Sequence, residues 1–260
     1  VKLTFLGTGT SFGIPQVGCR CPVCTSDDPR DRRTRSGAVV ETPETRILVD
    51  TPPELRLQLV AAGISSIDAV LYTHEHADHT NGIDDLRIFS ARQRRALPIY
   101  GPPETLDRLQ TTFSYIFDDR MAFEGTTKPQ LELHPLEADR VVSVSGQEVL
   151  PLAFPHGHLR VFGYRFGSDL AYLTDVKRVG PAELERLRGV RVLVLNALWW
   201  RPHPTHMSIA EAIALAQDIG AGATYLTHLT HETGHAELAA SLPGGVFPAY
   251  DGLVVETSST

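Results

Sequence analysis

Three histidines and an aspartate fall within six residues at His74-Glu-His-Ala-Asp-His79, directly after the apolar run Asp68-Ala-Val-Leu-Tyr-Thr73. Imidazole and carboxylate are the donors that hold zinc, manganese or iron. A strand ending at Thr73 delivers His74 and His76, two residues apart, to one side of the turn that follows. Asp78 and His79 then open a helix, where a carboxylate also suits the positive end of the dipole. Donors this dense can hold two ions at once, and two ions side by side make a hydrolytic centre. A polar surface loop would account for the composition of this stretch, but not for its spacing, its preceding strand or the later histidines.

Those later donors repeat one placement. His156 ends a strand in Phe154-Pro-His-Gly-His158, Asp175 ends Ala171-Tyr-Leu-Thr-Asp175, and His228 ends Thr224-Tyr-Leu-Thr-His228. A strand-end Asp or His is by itself an ordinary turn residue. Their shared placement with the hexad makes them ligand candidates, and a strand-terminal acid such as Asp175 is of the kind that bridges two cations.

The chain has three cysteines, all in Cys19-Arg-Cys21-Pro-Val-Cys24. An odd, tightly spaced set is a poor disulfide framework and a reasonable metal half-site. A structural zinc takes four ligands, so one is missing locally. His231, three residues after His228 in Leu226-Thr-His-Leu-Thr-His231, is the obvious fourth.

The elements that must position these donors alternate along the chain. Strands are expected at Lys2–Leu6, Ala38–Glu41, Arg46–Asp50 and Ala69–Thr73. A helix is expected from Pro53 to Ala62, with a proline start and Gly63 as its stop. Residues 80–120 read as mostly helical around a short strand at Pro98–Gly101, with Pro102-Pro103 starting the next helix. The second half repeats the plan: strands at Leu131–Pro135, Val141–Phe154, Val161–Phe166 and Leu170–Thr174, helix 181–187, then a buried-type strand at Arg191–Asn196. Ser208-Ile-Ala-Glu211 is a capping box opening a helix with Ile209, Ala212, Ile213 and Ala216 on one side. Tyr225–Thr227 and Val246–Glu256 add strands around a helix near 235–241. This order predicts two sheets face to face, helices outside both, and the site in loops at one edge.

In chain order, His74-Glu-His-Ala-Asp-His79, His156, Asp175 and His228 resemble the metallo-β-lactamase superfamily, whose motif is His-x-His-x-Asp-His followed by a His, a bridging Asp and a last His. The resemblance runs from Leu6-Gly-Thr-Gly-Thr10 to Asp251-Gly252. It implies an α/β fold, the four-layer αββα sandwich, as one domain over residues 1–260. It also implies that His74, His76 and His156 hold one divalent metal, that Asp78, His79 and His228 hold another, and that Asp175 bridges them, the metals being manganese or zinc. The cysteine set with His231 is similar to the PhnP-type phosphoribosyl cyclic phosphate phosphodiesterase family, which carries a glycine-rich N-terminal turn, a Cys-x-Cys-x-x-Cys insertion and a paired Thr-His-x-x-His. This likeness implies a structural zinc on Cys19, Cys21, Cys24 and His231, in a small insertion near 19–24.

In the resembling enzymes a histidine at the place of His206, in His203-Pro-Thr-His206-Met-Ser208, lies over the substrate phosphate as an acid or a clamp. The implied catalytic set is therefore His206 with the carboxylates Asp78 and Asp175. The implied reaction is hydrolysis of a small, cyclic phosphodiester in a homodimer. Asn196 departs from the family, which has an aspartate at the end of that strand. A carboxylate that could orient or protonate a histidine is thereby lost, which bears on the substrate and not on the hydrolytic class. The alternatives are a transfer-RNA 3′-end endonuclease of the same superfamily, for which no long inserted arm is seen, and a non-catalytic metal-binding domain, against which the full ligand set speaks.

Composition bounds the rest. Over 260 residues the chain is 42 % hydrophobic and 21 % charged, the balance of an ordinary soluble protein. A formal charge of -7 argues weakly against nonspecific nucleic-acid binding, so nucleic acid is not the expected partner. The clusters Arg30, Arg32, Arg33, Arg35 and Arg87, Arg92, Arg94, Arg95 read as solvated faces. No apolar run has the length of a membrane span, and the opening reads as a strand running into a glycine turn, so a cytoplasmic location is expected. Trp199 and Trp200 read as core or interface packing. The Gly7-x-Gly9-x3-Gly13 turn has the wrong spacing for a dinucleotide site.

Overall fold

The apolar strand runs are buried on both faces, and their alternation shows where each face goes. In Arg46–Val49, Ile47 and Val49 pack between two sheets while Leu48 packs outward against helices. In Val192–Asn196, Val194 points inward and Leu193 and Leu195 outward. Two apolar faces per strand are what a sheet sheathed by helices requires. The computed structural model describes residues 1–118, 120 and 127–257. Residue 119 of the expected 80–120 stretch and residues 121–126 and 258–260 of the expected domain lie outside the described residues.

The first sheet joins β1 (Lys2–Gly7), β2 (Gly37–Glu41), β3 (Arg46–Val49), β4 (Ala69–Leu71), β5 (Leu97–Gly101), β6 (Leu131–Pro135) and β14 (Val254–Glu256), in the order 14-1-2-3-4-5-6. The second joins β7 (Val142–Val144), β8 (Gln147–His156), β9 (Leu159–Phe166), β10 (Leu170–Leu173), β11 (Val192–Asn196), β12 (Ala223–Thr227) and β13 (Val246–Pro248), in the order 13-12-11-10-9-8-7. The helices are α1 (Leu55–Ala61), α2 (Ala77–Thr80), α3 (Arg87–Gln93), α4 (Pro103–Thr112), α5 (Ser114–Phe117), α6 (Pro181–Leu187), α7 (Ile209–Ile219) and α8 (His235–Ser241).

Phe5, Val40, Tyr164, Phe166 and Tyr172 fill the space between the sheets. Leu55 and Leu59 of α1, Phe89 of α3, and Leu106 and Leu109 of α4 cover the outer face of the first sheet. Leu187 of α6, Ile209, Ala212 and Ala216 of α7, and Leu238 of α8 cover the second. The result is the αββα sandwich. The capping box forms as read, with the Ser208 N–H donating to Glu211 Oε2 at 2.7 Å and the Glu211 N–H to Ser208 Oγ at 3.2 Å.

Two segments differ from expectation. Val141–Phe154 is a hairpin, β7 and β8, folded at Ser145 and Gly146 with φ of 48° and 92°. Positive φ at both central residues is the tight hairpin turn whose twist matches its strands. Val246–Glu256 breaks at Gly252 (φ 88°) into β13 and β14, which belong to different sheets.

Strand direction places the site. β3, β4 and β5 run parallel, as do β10, β11 and β12. β8 pairs antiparallel with β9 and β9 antiparallel with β10, so β8 runs in the direction of β10. Asp50, His74, His156, Asp175 and His228 therefore all follow or end strands whose carboxyl ends share one edge, where open α/β sheets place their ligands. The Leu229 N–H donates to Thr8 O at 2.9 Å and ties the two sheets together there.

Candidate metal centre

Three of the edge residues adopt a backbone that L-residues rarely use. Asp50, Asp175 and His228 have φ of 62°, 60° and 56°. Asp, Asn and His tolerate this left-handed region better than other side chains. The turn at each strand end thus uses residues that also carry donor atoms.

The hexad, His156, Asp175 and His228 converge. Donor atoms of His74, His76 and His156 lie within 4.8 Å of one another, as do those of Asp78, His79 and His228. Asp175 belongs with both groups: it has a carboxylate oxygen within 4.8 Å of donor nitrogens of His74 and His79, and one within 4.8 Å of those of His156 and His206. One oxygen, Oδ2, is 3.3 Å from His79 Nε2, and the other, Oδ1, is 3.2 Å from His228 Nε2 and 2.9 Å from His206 Nε2. Outward-facing nitrogens are held in place: His79 Nδ1 by Asp50 Oδ2 at 2.7 Å, His74 Nδ1 by Thr73 Oγ1 at 3.0 Å and His156 Nδ1 by Thr205 O at 3.1 Å. The inward Nε2 atoms of His74, His79 and His228 are buried and make no hydrogen bond among the described residues. Buried polar atoms are nearly always satisfied. Several unsatisfied ones converging with two carboxylates fit a pair of divalent cations.

The protonation states agree with that fit. Burial, and then the charge of His79, hold His74 well below its usual value, and burial also lowers His76 and His156. Burial raises the Asp175 carboxyl, but His228 and His79 outweigh it and keep it well below the ordinary carboxylate range. Asp78 is lowered likewise, burial being outweighed by His79 and His228. Burial opposes a charge on His79, yet the carboxylates of Asp175, Asp78 and Asp50 hold it well above its usual value. Neutral imidazoles and ionised carboxylates are the forms that ligate cations. His74, His76, His156, Asp78 and Asp175 thus stand in ligating form. His79 is the exception and must give up a proton to a cation that replaces its charge.

A second cluster lies close by. Cys19, Cys21 and Cys24 place their Sγ atoms 3.4, 3.4 and 3.3 Å from His231 Nδ1. Three sulfurs and one nitrogen are a tetrahedral zinc set by number and type. The Cys24 N–H, chiefly, lowers the Cys21 thiol to about 7, while burial pushes Cys24 up to about 11. Arg33 braces the loop that carries His231. It is fully buried and donates to Thr230 O and Thr233 O, so it is not part of a solvated face. Arg30 and Arg35 do face outward and pair with Asp28 and Glu54. Of the other cluster, Arg87 pairs with Asp84 and Arg95 with Asp68, while Arg92 and Arg94 are exposed.

Sequence reasoning missed Asp50, although Ile47-Leu-Val-Asp50 carries the signal that singled out Asp175, an apolar strand ending in an acid. Asn196 has a different task from the one its position implied. Its Oδ1 accepts from the Val176 N–H at 2.8 Å, fixing the backbone just past Asp175, and it holds no histidine. Trp199 is half-buried, outside the apolar core, with the Arg201 guanidinium 4.3 Å from its ring centroid; Trp200 is exposed. Gly7 and Gly9 allow close approach of backbones: a Cβ would stand 2.0 Å from Arg35 O at Gly7 and 2.5 Å from Arg33 O at Gly9. No helix among the described residues is long and apolar enough to cross a membrane.

Comparison with known proteins agrees with this geometry. Residues 45–229 match the β-lactamase superfamily domain. A crystal structure of a new diphosphatase from the PhnP family superposes with a TM-score of 0.90 at 39 % identity, covering 98 % of this chain and 96 % of that one. An octanoyltransferase of Porphyromonas gingivalis is 40 % identical over 256 residues, 97 % of this chain and 51 % of that protein. A ribonuclease Z of a Bradyrhizobium species is 30 % identical over 172 residues, 64 % of this chain and 50 % of that protein. The chain thus spans about half the length of these two relatives. With its fold, its converging donors and a domain match over most of its length, the chain belongs to the β-lactamase superfamily.

Proposed function

We propose that the chain hydrolyses a small phosphodiester, with His74, His76 and His156 holding one divalent metal, Asp78, His79 and His228 a second, and Asp175 shared between them. The observation that carries this reading is Asp175, which has a carboxylate oxygen within 4.8 Å of nitrogens of His74 and of His156, from the first set, and stands 3.3 and 3.2 Å from His79 and His228, of the second. Zinc or manganese bound there would supply Lewis acidity, making water ionise near neutral pH and offsetting the negative charge of a phosphate.

The protein's own residues do the rest. Asp50 and the Thr205 carbonyl fix the ring orientations of His79 and His156. The Thr205 hydroxyl lies 2.9 Å from His206 Nδ1; taken as the donor, it leaves the hydrogen of a neutral His206 on Nε2, facing Asp175. Burial lowers His206 and favours that neutral form. From there Nε2–H reaches a phosphate or leaving oxygen held beside Asp175, as a hydrogen-bond donor or proton source. Cys19, Cys21, Cys24 and His231 hold a structural zinc in this reading. Their free thiols suit a reducing compartment, the cytoplasm. The assembly is a homodimer, which sedimentation would test.

A second reading, cleavage of a diphosphate, is favoured by the diphosphatase at 39 % identity. One panel separates the readings: bis(p-nitrophenyl) phosphate, ribose cyclic phosphate, nucleoside 2′,3′-cyclic phosphates, a nucleoside diphosphate ester and a precursor transfer RNA, each with defined zinc or manganese. Cleavage of the small diesters is expected. It should be abolished in Asp175→Asn and slowed about 10²- to 10⁴-fold in His206→Ala with metal retained. Cleavage of the diphosphate ester alone would select the second reading, and of the transfer RNA alone the endonuclease. No cleavage by metal-loaded protein would leave a binding domain.

A further inference from the structure

Beside the metal centre lies a separate cavity of about 220 Å³, bounded by Thr10, Phe12, Gln16, Leu198, Trp199 and His203 and opening onto His206 and His228. The metal-centre cavity, with His76, Asp78, His156 and Asp175, is about 360 Å³. Both cavities include Ser11, His206 and His228, so they adjoin. A substrate with its phosphorus near Asp175 has this second cavity open to one of its substituents.

The walls define that substituent. Phe12 is 72 % exposed, yet its turn is braced. The Gly13 N–H donates to Thr10 O at 2.9 Å and Arg35 Nε to Ser11 O at 3.0 Å. A large apolar ring on a braced turn is thus available to a ligand that enters the cavity. Trp199 forms another wall, fixed by Arg201 and by the edge of His203, whose ring centroid is 5.3 Å away. Two aromatic walls and an imidazole match a flat ring, since stacking uses the faces. Thr10 and Gln16 add polar groups for the ring's edge.

We propose that this cavity is a subsite for a planar aromatic substituent of the substrate, a nucleobase or an aryl group, with Phe12 and Trp199 as its determinants of specificity. The proposal rests on the phosphodiesterase reading for its kinetics but not for its binding test. In the kinetic arm, adenosine 2′,3′-cyclic phosphate and base-free ribose cyclic phosphate are compared on wild type, Phe12→Ala and Phe12→Tyr. Phe12 is exposed, so neither change opens the core. Phe12→Ala should raise KM for the adenosine substrate about ten- to hundredfold, with kcat and the base-free substrate unaffected. Phe12→Tyr should restore KM.

In the binding arm, a Trp200→Phe background leaves Trp199 as the sole indole. Its fluorescence should be quenched by adenosine monophosphate (a base) and by phenyl phosphate (an aryl group), but not by ribose 5-phosphate. Quenching by only one of the two ring ligands would still support a subsite and would identify its class. An unchanged KM in Phe12→Ala, equal loss on both substrates, or no selective quenching would overturn the subsite. Absence of any cleavage with selective quenching intact would overturn the phosphodiesterase reading and keep the subsite.

Discussion

Asp50→Asn tests whether the carboxylate behind the metal centre sets the state of a ligand. Asp50 Oδ1 accepts from the Thr73 N–H at 2.8 Å; Oδ2 accepts from Thr73 Oγ1 at 2.8 Å and faces His79 Nδ1 at 2.7 Å. Asparagine tolerates the same left-handed φ of 62°, so the backbone is spared. The amide then has two settings. With its carbonyl on the Thr73 N–H, the NH₂ group meets His79 Nδ1. That nitrogen must become an acceptor, and a neutral ring must move its hydrogen to Nε2, the atom facing Asp78 and Asp175. With the amide reversed, the NH₂ group confronts the Thr73 N–H, leaving a buried donor unmet at a cost of about 1–3 kcal/mol. Either setting should lower metal affinity about ten- to hundredfold, the range found when partners behind metal ligands are removed. At about 1.4 kcal/mol per tenfold, that range is about 1.4–2.8 kcal/mol, the same size as the unmet donor. Equilibrium dialysis against a competing chelator measures the affinity, and thermal melting of metal-free protein measures the fold. The melting point should fall a few degrees. An unchanged affinity would refute the reasoning.

Asp251 accepts from the N–H and hydroxyl of both Thr8 and Thr34 at 2.6–2.9 Å. The hydroxyls can turn elsewhere but the two amides cannot, so Asp251→Ala should cost about 2–6 kcal/mol in urea unfolding. A Cβ on Gly82 would stand 2.2 Å from Pro52 O. Gly82→Ala should therefore cost about 1–3 kcal/mol and shift the Thr51–His79 contact, measurable by urea unfolding and metal titration. Gly244→Ala, which meets nothing within 4 Å, should be neutral in the same assays. After metal removal at pH 7–8, Cys21, lowered to about 7, should be alkylated well before Cys24, raised to about 11. Lowering a thiol's pKa makes thiolate available at lower pH, so the Cys21 rate should rise through pH 7 while that of Cys24 stays low. Peptide mass spectrometry reads both rates.

The hexad was legible because its donors are consecutive, so local geometry alone brings them together. Asp175 and His228 were harder to read. Side chains that tolerate a left-handed turn are also side chains that bind metal, so a strand-end Asp or His satisfies both readings. In Asp175 and His228 the turn and the donor coincide. Asp50 carries the same signal but acts through His79, and one sequence does not reveal that pairing. Arg33 was misread because its neighbours Arg30 and Arg35 do face outward, and only the tertiary fold buries one member of the run. The β7–β8 hairpin was hidden because its two-residue turn interrupts a run of strand-forming residues. Phe12 and Trp199 lie far apart in the chain, and their shared cavity exists only once the sheets close.

The pairing of β14 with β1 has a consequence for synthesis. Lys2, Leu3 and Thr4 pair with Glu256, Val255 and Val254, and the Thr257 N–H donates to Val1 O at 2.8 Å. β1 leaves the ribosome long before β14 and gains β2 on one side early, but its other side waits until the chain up to Val254 has been made. At the usual pace of translation that wait is on the order of ten seconds or more. Throughout it, β1 offers a row of unpaired N–H and C=O groups, the template on which strands of other chains add. A chain halted before Val254 loses Val255 from the space between the sheets and otherwise keeps its apolar layers and both donor clusters. Its weakness would be adhesive: association through the open edge of β1, relieved by a short peptide of the β14 sequence supplied in trans.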